Sequence, residues 1–112
     1  KKSYIGVYDD AFGQVARMSC PSAEALSRCS PIFAELLARA EGRLLVVKGK
    51  YRALEALMHH IGDPKEFARG KDGLGLEALC ELLRYASHFE VAVLRHAYLS
   101  ELRHRSQTAK LE

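Results

Sequence analysis

Met58-His59-His60 sets three side chains able to hold a transition metal side by side. A thioether and two imidazoles suit a transition metal. Neighbouring residues on a helix, however, point about 100° apart, and no third ligand follows at a matching spacing, so both histidines read as exposed or half-buried imidazoles. His88, His96 and His104 recur at intervals slightly longer than two helical turns. That is too far apart for one ion, and they are expected to meet solvent and give at most a weak pH response. Cys29 beside Ser30 has the type of a nucleophile, but no His and carboxylate accompany it in a recognisable arrangement. A thiol among apolar neighbours is raised in pKa and inert. Gly70-Lys-Asp-Gly-Leu-Gly75 lacks both the preceding strand and the Lys-Ser/Thr ending of a phosphate-binding loop. The expectation is therefore no enzyme: no catalytic residue, no cofactor and no metal.

Composition points the same way. The chain has 112 residues, 48% hydrophobic and 28% charged, the balance of one folded domain with its own core. Residues 1–110 are read as that domain and Leu111-Glu112 as a cloning remnant. Cys20, Cys29 and Cys80 are odd in number, without CxxC spacing and at apolar-looking positions, so they are expected as buried free thiols in a reducing compartment, cytoplasm or nucleus. The net charge of +3 comes partly from Lys1, Lys2 and the basic stretch 103–110, which makes a nucleic-acid footprint unexpected. No apolar run approaches the roughly twenty residues of a membrane span.

The elements that carry these side chains follow from period and punctuation. Tyr4–Tyr8 and Gln14–Cys20 alternate as strands around an Asp/Gly turn at Asp9–Gly13, a hairpin pattern. Ser22 after Pro21 caps a short helix ending near Arg28. Ser30-Pro31 repeats that grammar, with Ser30 as cap and Pro31 at the first helical position. Phe33, Leu36, Leu37 and Ala40 then share one face until Gly42 stops the helix as a left-handed cap. Arg43-Leu-Leu-Val-Val-Lys48 reads as a buried strand joining the hairpin. Tyr51, Leu54, Leu57, Met58 and Ile61 return to helical spacing, residues 62–75 read as a long loop, and two closing helices follow. Their apolar faces are Leu76, Leu79, Cys80, Leu83 and Ala86, then Val91, Leu94, Tyr98 and Leu102, with a break at Ser87–Glu90. The plan is α+β and mostly helical, a small three-stranded sheet on about five helices.

Three stretches carry a resemblance. Leu26-Ser-Arg-Cys-Ser-Pro-Ile-Phe33, Tyr51-Arg-Ala-Leu-Glu-Ala-Leu-Met58 and Leu79-Cys-Glu-Leu-Leu-Arg-Tyr-Ala-Ser-His-Phe-Glu-Val-Ala-Val-Leu94 resemble the turn between the first two helices, the helix following the next strand and the closing helix pair of the BTB/POZ domain, in the superfamily of Skp-type adaptors and elongin C. The resemblance implies a non-catalytic protein-interaction module that self-associates, commonly as a homodimer, or pairs with a related BTB-like partner. An alternative it implies is a ubiquitin-ligase substrate adaptor binding a cullin scaffold. The chain departs from the family at Ser19-Cys-Pro-Ser-Ala23, where members usually carry Phe-x-Ala-His-Arg. It departs again at Arg39-Ala-Glu41, where cullin-binding members show a hydrophobic residue, any residue and Glu.

The residues expected at an interface are Tyr4, Ile5, Val7 and Tyr8 on a first strand read as a sheet edge, Ser30, Ile32 and Phe33 at the start of the second helix, and Phe89 and Val91 at the last helix junction. Aromatic and β-branched side chains are the types that anchor such contacts.

Overall fold

The computed structural model describes residues 3–111; Lys1, Lys2 and Glu112, and the expectations placed on them, lie outside the described residues. Strands β1 (Ser3–Asp9) and β2 (Gln14–Cys20) pair antiparallel, with Ile5 opposite Met18 and Val7 opposite Ala16. Their turn is closed by the Asp9 carboxylate, which accepts from the Ala11 amide at 2.9 Å, and by Gly13 at φ +69°. Ser22 caps helix α1 (Ala23–Cys29) through the Ala25 amide, and Ser30 caps α2 (Pro31–Ala40) through the Phe33 amide at 2.9 Å. Two successive left-handed residues, Glu41 at φ 52° and Gly42 at φ 80°, end α2. The cap begins one residue before the glycine that signals it.

Strand β3 (Val46–Lys48) lies parallel to β1, and the sheet order is β2-β1-β3. Two expectations are corrected here. The first strand is the middle of the sheet and not an edge, because β3 returns to its free side after the α1–α2 crossover. The run 43–48 is not buried throughout: Leu45 and Val47 enter the core, while Leu44 and Val46 face outward. A short strand covered by helices on one side only buries alternate residues.

Helix α3 (Tyr51–Gly62) has no side-chain cap of its own at Lys50. The Asp9 carboxylate supplies one from the hairpin turn, accepting from the Tyr51 amide at 2.8 Å. These backbone donors hold the Asp9 carboxyl below its ordinary range. The Tyr85 hydroxyl takes the neighbouring Lys50 amide at 2.9 Å.

The expected loop at 62–75 is largely helical. Helix α4 (Pro64–Gly70) starts on Asp63-Pro64, where the Asp63 side chain accepts from the Lys65 amide at 3.1 Å, and a 3-10 turn follows at Lys71–Gly73. Phe67 drives this ordering by burying its ring against His60 and Tyr98 at 5.4 and 4.9 Å. Helices α5 (Leu76–His88) and α6 (Ala92–Leu111) form the closing pair. The buried face of α5 is Leu79, Leu82, Tyr85 and Ala86, so Leu76 and Cys80, expected inside, face solvent. Glu90, left-handed at φ 54°, reverses the chain, with the Val91 amide reaching the Ala86 carbonyl at 2.8 Å.

The molecule is thus an α+β fold, mostly helical, with a three-stranded sheet whose inner face meets the helices. The core runs from Ile5, Val7 and Met18 through Leu54 and Leu57 to Leu79 and Tyr98. Among the described residues no helix is long and apolar enough to cross a membrane.

Candidate protein-interaction face

The residues expected at an interface separate by burial. Ile5 and Val7 point inward from β1 and are core. Ser30, Phe33, Phe89 and Val91 are also inside, brought together in one joint between the α1–α2 pair and the α5–α6 pair. The Ser30 hydroxyl accepts from the Phe33 amide and donates to the Phe89 carbonyl. The Phe33 and Phe89 rings stack at 4.5 Å with an interplanar angle of 13°. Ser30 therefore does two things at once: it caps α2 and satisfies a carbonyl at the end of α5, where an unpaired buried acceptor would cost about 1–3 kcal/mol. As contact residues for a partner these side chains are corrected to internal packing, since none of them reaches the surface. Ile32 is half-buried against the same core.

Tyr4 and Tyr8 stand differently. The pleat sends them, with Gly6 between, to the outer side of the sheet. The register sets Val15, Arg17 and Ser19 of β2 and Val46 and Lys48 of β3 beside them, with Leu44 just before β3. Val15 is 49%, Leu44 46% and Val46 48% exposed, yet all three converge over Gly6. A Cβ placed there would lie 2.9 Å from Val15 Cγ1, 3.1 Å from Val46 Cγ2 and 3.2 Å from Leu44 Cδ2. The missing side chain lets apolar groups from both flanking strands meet across the central one, forming a continuous apolar face flanked by two tyrosines.

Charge surrounds this face. The Arg17 guanidinium lies 4.5 Å from the Tyr4 ring centroid, a cation on an aromatic face. Lys48 reaches Asp10 at 3.8 Å, with both groups largely in water, a pair worth little to stability. The free edge of β2 is partly occupied by the chain itself. Gly6 and Tyr8 use their main-chain groups toward β3, so β2 pairs through Ala16 and Met18, and the Arg17 carbonyl points away from the sheet. The Tyr51 hydroxyl donates to that carbonyl at 3.1 Å, which blocks the middle of the edge against an added strand.

The remaining side chains with chemical potential lie elsewhere. His60 is buried, and its Nδ1 is hydrogen-bonded to the Tyr98 hydroxyl at 2.7 Å. Burial lowers the His60 pKa and pushes the Tyr98 phenol up. His59 faces solvent 3.5 Å from Glu66. Cys20 and Cys29 are only half-buried and Cys80 is exposed, so the expectation of three buried thiols is corrected; burial still raises the first two. Glu101, which no pattern had singled out, is buried and held between Arg105 at 2.9 Å and Lys71 at 3.5 Å. Arg105 also donates to the Lys71 carbonyl at 2.8 Å, tying the turn after α4 to α6. Hydrogen bonding to Arg105, aided by the Lys71 charge, keeps the Glu101 carboxyl below its usual range. Among the described residues no three His, Cys, Asp or Glu side chains gather so as to hold a metal ion.

The tripeptide Arg39-Ala-Glu41 closes α2, with Ala40 half-buried against the core and Glu41 in the left-handed turn. No protein-family profile matches the chain, and no curated protein matches it.

Proposed function

We propose that this chain is a non-catalytic protein-interaction module of BTB/POZ-like plan, self-associating or recruiting a partner through the outer face of its sheet. The observation that carries the proposal is the convergence of Val15, Leu44 and Val46 over Gly6, on a side of the sheet where each keeps about half its surface exposed. A sheet face turned to water is ordinarily polar, and a contiguous apolar patch with a polar rim is the form of a contact surface. The element order, two strands, two helices, a strand, two helices with a short 3-10 turn and a closing helix pair, supports the BTB-like reading. Three cysteines without a disulfide fit a reducing compartment, the cytoplasm or the nucleus.

The test pairs two measurements on the intact chain. Light scattering from micromolar to millimolar concentration reads self-association, and selection from a displayed peptide library reads partner binding. A Val15→Asp, Val46→Asp double variant is run in both. At least one activity is expected, and it is expected to disappear in the variant while the melting temperature stays close to wild type. A chain that stays monomeric and selects no ligand dependent on Val15 and Val46 overturns the proposal.

A further inference from the structure

We infer that the outer sheet face docks an amphipathic helix of another protein with carboxylates along its flanks, rather than a second copy of this chain. The inference rests on the interaction-module reading above and names the occupant of the same face.

Size is the first argument. Three strands about 4.8 Å apart, two of them seven residues long and β3 only three, at about 3.4 Å per residue give a face of roughly 300 Å². A stable pair of proteins needs about 800 Å² from each side. The face therefore supplies less than half of what a dimer requires, but it matches one helix about 10 Å wide and about sixteen residues long. A helix with apolar residues at three- and four-residue spacing would lay them on Leu44, Val46 and Val15, between Tyr4 and Tyr8.

Charge is the second. The outward positions of the three strands hold Arg17 and Lys48 and no carboxylate; Asp10, at the hairpin turn, already lies beside Lys48 at 3.8 Å. A two-fold copy laid on this face would bring like cations toward each other, which costs free energy and slows encounter. Glutamates or aspartates flanking an apolar stripe would meet Arg17 on one side strand and Lys48 on the other. The third argument is the Tyr51 hydroxyl on the Arg17 carbonyl, which closes the middle of the β2 edge to an added strand on the Arg17 side of the face.

The experiment uses two synthetic helices that share the same leucine stripe, one with glutamates and one with lysines on the flanks, titrated by fluorescence anisotropy. The glutamate helix is expected to bind the wild-type chain about tenfold more tightly than the lysine helix and to weaken as salt is raised. An Arg17→Glu, Lys48→Glu variant is expected to reverse the preference. If that variant does not fold, the comparison of the two helices and the salt series on the wild-type chain decide alone. Equal binding of both helices, or binding of neither, overturns the inference. So does self-association through Val15 and Val46 in the light-scattering experiment, or selection of ligands without acidic flanks; either of these would leave the interaction-module proposal standing.

Discussion

The joint at Ser30 and the outer face around Gly6 use similar apolar side chains, but one is closed by the chain itself and the other is not. In the joint, Phe33 and Phe89 stack, and a serine between their helices satisfies both an amide and a carbonyl. On the sheet, Val15, Leu44 and Val46 converge over Gly6 and keep about half their surface in water. The lesson is that aromatic or β-branched character does not mark a contact surface; what marks it is apolar character in excess of what the pleat or the helical period needs to fill the core.

The largest effect that separates the two regions is Phe33→Ala. It removes one ring of the stacked pair and leaves a cavity in the joint, and is expected to cost about 3–5 kcal/mol in chemical denaturation. A loss below about 1 kcal/mol would show that the joint is not the closed core described here.

A smaller effect comes from the buried pair on α3 and α6. Because burial depresses the folded-state pKa of His60, the unfolded chain takes up the proton first as pH falls. Stability is therefore full above the ordinary histidine range and declines as pH drops below about 6.5. His60→Phe is expected to flatten this slope in denaturation curves collected between neutral and mildly acidic pH, whatever it does to the level. An unchanged slope would place the response elsewhere.

The smallest stability effect belongs to the sheet face. Val46→Thr keeps the β-branched shape and is expected to change stability by no more than about 0.5 kcal/mol, while weakening whatever association the face supports. A larger loss in denaturation would assign Val46 to the interior and erase the contrast.

Much of the fold was legible because helix starts are local. Ser22 and Ser30-Pro31 announce α1 and α2, and each serine caps the helix it precedes. Asp63-Pro64 carries the same signal two helices after α2, but the glycines around it outweigh it, and by sequence alone the stretch reads as loop. Phe67 was the available clue, an apolar residue inside a supposed surface segment. Strand order was not legible. Whether β1 is central or peripheral depends on where β3 returns, and that is set by the crossover through α1 and α2 rather than by any residue of β1.

The outer apolar face itself was half visible. Leu44-Leu-Val-Val47 read as a strand buried on both sides, although only Leu45 and Val47 are needed inside. Its surplus, Leu44 and Val46, was the signal of an outward apolar face. Conversely, Ser30, Phe33, Phe89 and Val91 were singled out from types that also build cores, and only their shared burial shows which use the chain makes of them.

The parallel pairing of β1 with β3 has a kinetic consequence. Gly6 meets Val46 across forty intervening steps of chain (46 − 6), whereas the hairpin and the α5–α6 pair form between neighbours in sequence. Closing the longer loop carries the greater entropic cost and belongs to the slow, non-local part of folding. Leu44 and Val46 reach Val15 only once that closure is made, so a nascent or partly opened chain does not possess the face at all. Under the proposed function, a partner on this face would recognise the finished fold and hold β3 in place.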